Sequence, residues 1–202
     1  MYCNRILKRL FDIISSGIGL IVLSPMFLFV AIWVKCDSRG PVFYTQTRVG
    51  KNCRDFKLYK FRSMRVGSDK KGLITIGGHD QRITRSGYFI RKYKIDEYPQ
   101  LINVLIGNMS IVGPRPEVRK YVDLYTPDQL HVLDVRPGIT DIASISYRNE
   151  NELLAKAKDP DEYYRTVVMQ DKLRINLEYI KRRSFWFDIR LIFRTLLAVV
   201  NG

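Results

Sequence analysis

Histidine and cysteine are scarce in this sequence, and each shortage excludes a kind of functional site. The 202 residues include 2 histidines and 3 cysteines. Cys3, Cys36 and Cys53 are too far apart for a C-x-x-C zinc or redox motif or for a disulfide framework, which indicates a reducing compartment. A His-rich metal site is excluded, and a Ser-His-Asp triad would have to use either His79 or His131.

Acidic residues are also few in comparison with basic ones. The chain has 34 Lys and Arg against 20 Asp and Glu, which gives a formal charge of +14. With 46% hydrophobic and 12% aromatic residues it is too apolar for a disordered polycation such as a histone-like tail, and its length fits one ordinary domain. The positive charge points to an anionic partner, which by composition alone could be nucleic acid, phospholipid headgroups or a phosphorylated substrate.

One long stretch has no charged residue at all. Residues 13–34 are uncharged, and a helix of this length can cross a hydrocarbon core of about 30 Å. The run is longer than the apolar part of a signal peptide, and no small-x-small cleavage site follows it. We therefore expect a membrane segment that the mature protein retains.

The middle of this segment predicts a break in the helix. Ser24 and Pro25 lie at its centre, where proline removes a helix hydrogen bond and the serine hydroxyl can satisfy a freed carbonyl group. Basic residues flank the segment on both sides, which by the positive-inside rule places both flanks in the cytoplasm. A re-entrant helix-break-helix anchor over residues 1–38 explains both features, and a single span with a mild kink is the alternative. Residues 39–202 would then form the catalytic domain at the cytoplasmic face.

The sequence after the anchor predicts a small β-hairpin. Residues 41–50 and 53–64 alternate between polar and apolar side chains and are separated by a short turn, as two antiparallel strands would be. Residues 65–82 are polar, include four glycines and predict a mobile loop. A further strand is predicted over residues 139–148.

Helices are predicted for most of the remaining chain. Residues 84–98 mix aromatic and basic side chains at helical spacing, which suits a membrane surface, and a short helix is expected to begin at Pro99. The chain reads as helical from residue 150 onward, and its last stretch, residues 184–200, is either packed in the core or lies at a membrane interface. The predicted class is thus α+β, predominantly helical, with amphipathic interfacial helices.

Asp96 and Glu97 form an adjacent carboxylate pair in a strongly basic neighbourhood. Such a pair near a helix start is most often solvated or complements the helix dipole. In a functional role, one carboxylate could act as a nucleophile while its neighbour binds Mg²⁺. Cations that could neutralise a diphosphate occur in the motif KFRSM, with Lys60 and Arg62, and in the rigid sequence around Arg115.

The order of these motifs resembles a known family. The Ser-Pro break is followed by FYTQTRVG, KFRSM, IDEYPQLINVLIGNMSIVGPRPE and DVRPGIT. This arrangement is similar to that of the bacterial sugar transferases, more narrowly the small monotopic phosphoglycosyl transferases, in their minimal form. The resemblance covers most of the chain. It implies that Asp96 is the nucleophile and that Glu97 binds Mg²⁺. The candidate substrate-binding residues are Lys60, Arg62, Arg91, Pro114, Arg115, Pro116 and Arg136.

The resemblance also implies a reaction and a location. Enzymes of this family move a sugar-1-phosphate from a UDP-sugar to undecaprenyl phosphate through a covalent enzyme intermediate and release UMP. The expected partners are these two substrates and anionic phospholipid at the bacterial inner membrane, without nucleic acid, and a homodimer is left open. The alternatives are a basic, membrane-anchored protein that binds polyanions without chemistry and an inactive scaffold.

Two positions depart from the family pattern. Asp141 and the residues after it stand where many members have glycine, and Asn176 stands where an acidic residue often begins a D-x-x-Y pattern. The sequence does not identify the sugar. We expect selectivity for the sugar to come from the predicted loop and from residues 147–154.

Overall fold

The structure is a computed structural model that describes residues 2–68 and 80–200, and it is mostly helical. Its α-helices are α1 Tyr2–Val22, α2 Ser24–Asp37, α3 Arg85–Lys92, α4 Gln100–Ile106, α5 Arg119–Val122, α6 Ile142–Ser146, α7 Glu150–Ala155, α8 Pro160–Tyr163, α9 Met169–Arg182 and α10 Phe185–Val200. The strands are β1 Phe43–Val49, β2 Asp55–Phe61, β3 Ser110–Val112 and β4 Gly138–Thr140. The predicted mostly helical class with a small hairpin is confirmed. Most of the predicted loop, residues 69–79, lies outside the described residues.

The predicted break is present between α1 and α2. The two helices meet at an angle of 60° around Leu23. The Ser24 hydroxyl donates a hydrogen bond to the carbonyl oxygen of Ile21 at 2.7 Å, and Pro25 lies in the first turn of α2, where its missing N–H leaves no bond unmade. No single described helix is long and apolar enough to cross a membrane, whereas this bent pair together meets the length and composition that a span requires.

Helix α1 is attached to the start of β3 and the end of α4 through polar side chains. The buried carboxylate of Asp12 accepts hydrogen bonds from the Ser110 hydroxyl at 3.1 Å and from the Ile111 amide at 3.0 Å. Arg9 donates to the last carbonyl groups of α4 at 2.7 and 2.9 Å. The opposite side of α1 exposes isoleucine side chains such as Ile14 and Ile18. Helix α1 is thus polar where it meets the protein and apolar where it faces outward.

The predicted hairpin is confirmed. Strands β1 and β2 pair antiparallel, with Tyr44 opposite Lys60 and Val49 opposite Asp55. The turn between them contains Asn52 with a positive φ of 55°. Because side chains alternate along a strand, neighbouring residues at the end of β2 point to opposite faces of the hairpin.

The prediction of one helix over residues 84–98 is wrong in its second half. Helix α3 begins after Thr84, whose hydroxyl accepts a hydrogen bond from the Gly87 amide, and it ends at Lys92. Lys94 then adopts the left-handed conformation with φ 57°, which no α-helix tolerates, and a 3₁₀ turn follows at Ile95–Glu97. Helix α4 begins next to Pro99, as predicted.

The strand predicted over residues 139–148 is also mostly wrong. Only the three-residue strand β4 forms, and it pairs parallel with β3. Asp141 then caps α6 by accepting from the Ser144 amide at 2.7 Å, so the chain turns into a helix. The two strands approach so closely that a Cβ atom on Gly138 would lie 2.1 Å from the Gly113 nitrogen. Only glycine fits there.

The C-terminal helix α10 packs on the core, which is one of the two roles that its sequence left open, and the membrane-interface role stays a prediction. Leu191 is buried in a cluster with Val112 and Tyr179, and the buried Asp188 accepts a hydrogen bond from the Tyr179 hydroxyl at 2.7 Å. Trp186 is exposed on the same helix. Helix α10 therefore packs on the core with one face and leaves large apolar side chains outside on another.

Candidate functional site

The carboxylate pair lies on the 3₁₀ turn between α3 and α4. The left-handed residue Lys94 reverses the chain, and its carbonyl accepts a hydrogen bond from the Glu97 amide at 3.2 Å. This turn places the side chain of Asp96 in the interior, where it is 6% exposed. The fold therefore does not leave the pair solvated, although that is the commonest situation for adjacent carboxylates near a helix start.

Two cations hold the second carboxylate. Lys60, on β2, donates to Glu97 Oε1 at 3.0 Å. Arg115 donates to Glu97 Oε2 at 3.1 Å and makes a second, shorter contact with Oε1, so its planar fork contacts both oxygens. The sequence distance between the three residues is large, and the hairpin and the turn bring them together.

The environment separates the acid strengths of the two carboxyl groups. Burial raises the pKa of Asp96, and the positive charge of Lys60 only partly opposes this. Burial also acts to raise the pKa of Glu97, but Arg115 and Lys60 outweigh it and hold that pKa well below its ordinary value. The pKa of Lys60 is lowered by its own burial, which Glu97 partly offsets. Glu97 is therefore firmly ionised and binds cations, whereas Asp96 takes up a proton more readily than an exposed aspartate does.

The segment that carries Arg115 is held in place by hydrogen bonds from Arg48 and Tyr164. Arg48, on β1, donates from Nη1 to the Pro116 carbonyl at 3.1 Å and to Glu117 Oε1 at 3.0 Å. The Tyr164 hydroxyl donates to the other carboxylate oxygen of Glu117, Oε2. Arg48 was not among the residues singled out from the sequence, although it lies in the motif FYTQTRVG. Its contacts position the loop that presents the guanidinium of Arg115.

A large cavity surrounds the pair. It has a volume of about 1490 Å³ and extends from Leu23, at the break between α1 and α2, to Asn176 on α9. Eight of the residues singled out from the sequence line it: Lys60, Arg62, Arg91, Asp96, Glu97, Pro114, Arg115 and Pro116. The cavity is larger than the range of about 300–1,000 Å³ common for small-molecule sites, so it has room for more than one ligand group.

Arg62 lines this cavity but uses its guanidinium elsewhere. It donates to the carbonyl oxygens of Arg39 at 2.6 Å and Ser38 at 2.8 Å, just beyond the end of α2. These bonds satisfy carbonyl groups just beyond the C-terminal end of α2. The observed contacts of Arg62 are structural, and its role in binding substrate stays a prediction.

Arg136 lies apart from the pair. It donates to the Gly107 carbonyl at 2.9 Å, behind α4, and lines a separate cavity of about 90 Å³ beside α1. Its neighbour Pro137 lines the large cavity instead. A substrate-binding role for Arg136 likewise remains a prediction.

The residues present fit a magnesium ion that arrives with its substrate. Within residues 2–68 and 80–200, no three His, Cys, Asp or Glu side chains group so that they could hold a metal. Mg²⁺ commonly uses only one or two carboxylates together with phosphate oxygens and water, which the pair of Asp96 and Glu97 could supply with a diphosphate. Lys60 and Arg115 contact the Glu97 oxygens, so a metal there requires at least one of these cations to turn towards the phosphates.

Comparison with known proteins gives a consistent result over nearly the whole chain. A family model described as bacterial sugar transferase matches residues 3–202. A UDP-N-acetylgalactosamine-undecaprenyl-phosphate N-acetylgalactosaminephosphotransferase from Aeromonas hydrophila is 39% identical over 97% of this chain and 44% of its own length. A UDP-glucose:undecaprenyl-phosphate glucose-1-phosphate transferase from Escherichia coli (strain K12) is 40% identical over 96% of this chain and 40% of its own length.

The relatives differ in size. The chain spans less than half the length of the two enzymes just described. The exopolysaccharide production protein PSS of Rhizobium leguminosarum bv. phaseoli is 41% identical, and the match covers 96% of both chains. The matched region is therefore the part that long and short relatives share.

Proposed function

Because the chain belongs to the bacterial sugar transferase family, we propose that it transfers a sugar-1-phosphate from a UDP-sugar to undecaprenyl phosphate and so initiates a lipid-linked glycan. The relatives named for this type of reaction support the proposal. They are named for different sugars, so the donor sugar is left unspecified. The observation that carries the proposal is the buried Asp96 beside Glu97, which is held between Lys60 and Arg115.

In the first step, a carboxylate oxygen of Asp96 attacks the β-phosphorus of the UDP-sugar. A bond forms between this oxygen and the phosphorus, and the bond from the phosphorus to the bridging oxygen breaks. UMP leaves with the bonding electrons, and the sugar phosphate remains on the enzyme as an aspartyl ester. No proton has to be removed from the nucleophile when Asp96 is ionised.

In the second step, undecaprenyl phosphate takes over the phosphosugar. A phosphate oxygen of the lipid attacks the same phosphorus, and the carboxylate of Asp96 leaves with its bonding electrons. The product is a lipid-linked sugar diphosphate, and the enzyme returns to its starting state. One site then serves both half-reactions, as ping-pong kinetics require.

The cations beside the pair suit this chemistry. Phosphoryl transfer depends mainly on positioning and on stabilising negative charge that spreads over the phosphoryl oxygens. Arg115 and Lys60 contact Glu97 in the ligand-free protein and can turn to the donor diphosphate when it binds. Mg²⁺, held by Glu97, would add positive charge at the same oxygens.

The N-terminal helices suit an acceptor that is dissolved in a membrane. We assign α1 and α2 to a re-entrant anchor that enters and leaves at the cytoplasmic face of the bacterial inner membrane. The 60° bend, the basic flanks and the exposed apolar side of α1 support this assignment. Leu23, at the bend, also lines the cavity that contains Asp96, so the cavity reaches from the break in the anchor to the nucleophile. The net charge of +14 favours contact with anionic lipid.

The test is UMP release by purified protein with Mg²⁺, undecaprenyl phosphate and a panel of UDP-sugars. We expect release with at least one donor, and Asp96→Asn should abolish it. The matched control is Asp128→Asn, the same change at an exposed residue outside the cavity, which should leave the rate unchanged.

A second measurement addresses the intermediate. With a donor labelled in the sugar and without lipid, the native protein should retain the label covalently, whereas Asp96→Asn should not. Turnover that persists in Asp96→Asn would overturn the nucleophile assignment. A folded native protein that is silent with every donor would favour the scaffold or polyanion-binding alternatives.

A further inference from the structure

The cavity continues beyond the carboxylate pair into a region that the two proposed steps do not use. One wall of this region is α9, and the facing wall is the segment of residues 144–151. The two walls are tied by a hydrogen bond from the Tyr147 hydroxyl to Asp171 at 2.8 Å and by an ion pair between Lys172 and Glu150 at 2.8 Å. We refer to the space between residues 144–151 and α9 as the distal lobe.

One face of α9 forms its wall. Met169, Lys172, Leu173 and Asn176 all line the cavity, and their spacing places them on one side of a helix. Met169 and Leu173 are buried in the main hydrophobic cluster, which fixes the rotation of the helix. The fold therefore holds Asn176 towards the cavity.

The amide oxygen of Asn176 is buried without a hydrogen-bond partner in the described part of the chain. The residue is 6% exposed, and no hydrogen bond from the described part of the chain reaches its Oδ1 atom. A buried polar group in this state destabilises a protein, and nearly all such groups in native structures have a partner. The terminal torsion of an asparagine side chain is soft, so the amide can turn either its oxygen or its nitrogen towards a ligand.

The distal lobe is connected to the catalytic pair through α6. Asp141, the cap of this helix, lines the cavity, and its negative charge adds to that of Glu97 in raising the pKa of Arg115. The start of α6 is thus within electrostatic reach of the guanidinium that contacts Glu97. A donor whose diphosphate lies at Arg115 can extend along α6 towards α9.

The side chains that line the distal lobe include amides, which suit a hydroxyl-rich group. Asn149 and Asn151 line the cavity, Lys172 is paired with Glu150, and Arg148 adds one basic group to the same wall. Amide groups both donate and accept hydrogen bonds, as sugar hydroxyl and acetamido groups do. We propose that Asn176 binds the sugar ring of the donor in the distal lobe and contributes to the choice of sugar. This inference rests on the proposed function.

The test uses Asn176→Leu, which keeps the size of the side chain and removes its polar atoms. Loss of one neutral hydrogen bond should raise the KM for the preferred UDP-sugar about tenfold. The free protein should melt about 2–4 °C higher, because an unsatisfied buried amide has been removed. The matched control is Gln170→Leu, an amide-to-leucine change at an exposed position of α9, which should leave KM unchanged.

Inhibition by UMP distinguishes the sugar from the nucleotide. If Asn176 contacts the sugar, Asn176→Leu leaves the inhibition constant of UMP unchanged and alters the ranking of UDP-sugars. A matching loss of UMP affinity would place Asn176 at the nucleotide and overturn the proposal. A fall in melting temperature would assign Asn176 a structural role. If leucine does not fit, Asn176→Ala, which adds no bulk, provides the same comparison of KM.

The proposal and the proposed function fail in different ways. If the native protein turns over a donor and both Asn176 variants keep its KM and its ranking of donors, only the distal-lobe assignment is wrong. If the folded native protein releases no UMP from any donor, the proposed function fails, and the sugar-binding role fails with it.

Discussion

Replacing Arg115 by glutamine removes the fork that contacts both oxygens of Glu97. Lys60 would remain on Oε1, so the carboxylate would lose one of its two cations. Removing one partner of a buried ion pair costs about 3–5 kcal/mol. Arg115 has a side chain that is 33% exposed, and water can partly replace it, so we expect a loss of about 2 kcal/mol in the free energy of unfolding.

The expected effect on catalysis is larger than the effect on stability. The melting temperature should fall by about 4–8 °C, at roughly 2–4 °C per kcal/mol for a chain of this size. Removing a charge that stabilises the transferring phosphoryl group should lower kcat by about 10²–10³-fold. Arg115→Lys keeps the charge but loses the fork, and it should recover most of the stability and only part of the rate.

The assay is initial UMP release at saturating donor, together with thermal unfolding in the same detergent. Arg119→Gln is the control, because Arg119 forms an exposed ion pair with Asp55 and its loss should change stability by less than about 1 kcal/mol and leave the rate unchanged. A kcat for Arg115→Gln within twofold of the native value would refute the idea that Arg115 stabilises transferred charge. A large loss of stability without a loss of rate would make its ion pair with Glu97 purely structural.

Two further predictions concern the anchor and its junction with the catalytic domain. For a re-entrant anchor, an impermeant maleimide should label Cys3 and Cys36 only after the cells are permeabilised, whereas labelling of Cys3 alone in intact cells would indicate a single span. Asp37 accepts hydrogen bonds from the amide and hydroxyl of Ser86, which outweigh the effect of its burial and lower its pKa below 3.8. The contribution of Asp37 to stability is present at neutral pH and is lost as the pH falls through the lowered pKa. Asp37→Ala should therefore lower the free energy of unfolding by about 1 kcal/mol at pH 7. In denaturant unfolding, this difference between the native protein and the variant should narrow below about pH 4.

The sequence was most informative where a pattern is local. The hairpin follows from alternation on both sides of a short turn, and the helix break follows from Ser24 and Pro25. The cluster of Lys60, Glu97 and Arg115 is a long-range arrangement, and no periodicity predicts it. The resemblance assigned Lys60 and Arg115 to substrate and Glu97 to Mg²⁺, and it did not predict that the three side chains contact one another.

The errors come from contacts that a sequence pattern does not contain. Lys94 has no compositional reason to adopt a left-handed conformation, and the turn is closed by hydrogen bonds from its amide to the Arg91 carbonyl and from the Glu97 amide to its own carbonyl. The segment after Thr140 has the composition of a strand, but β4 pairs with β3 for only three residues before Asp141 caps a helix. The contacts of Arg62 with the backbone carbonyl groups of Arg39 and Ser38 were also not predicted, because no sequence displays such partners, and its role in binding substrate stays a prediction.

The end of β2 connects helix α2 to the carboxylate pair. Lys60 and Phe61 are neighbours on this strand and point to opposite faces. Lys60 contacts Glu97, whereas Phe61 is buried against Val30 and Val34 of α2, and Arg62 binds the carbonyl groups at the end of that helix. Because three consecutive residues make these contacts, α2 cannot tilt without moving the cation beside the carboxylate pair. In the proposed function, the depth of the re-entrant anchor therefore sets the height of Asp96, the proposed nucleophile, relative to the lipid phosphate.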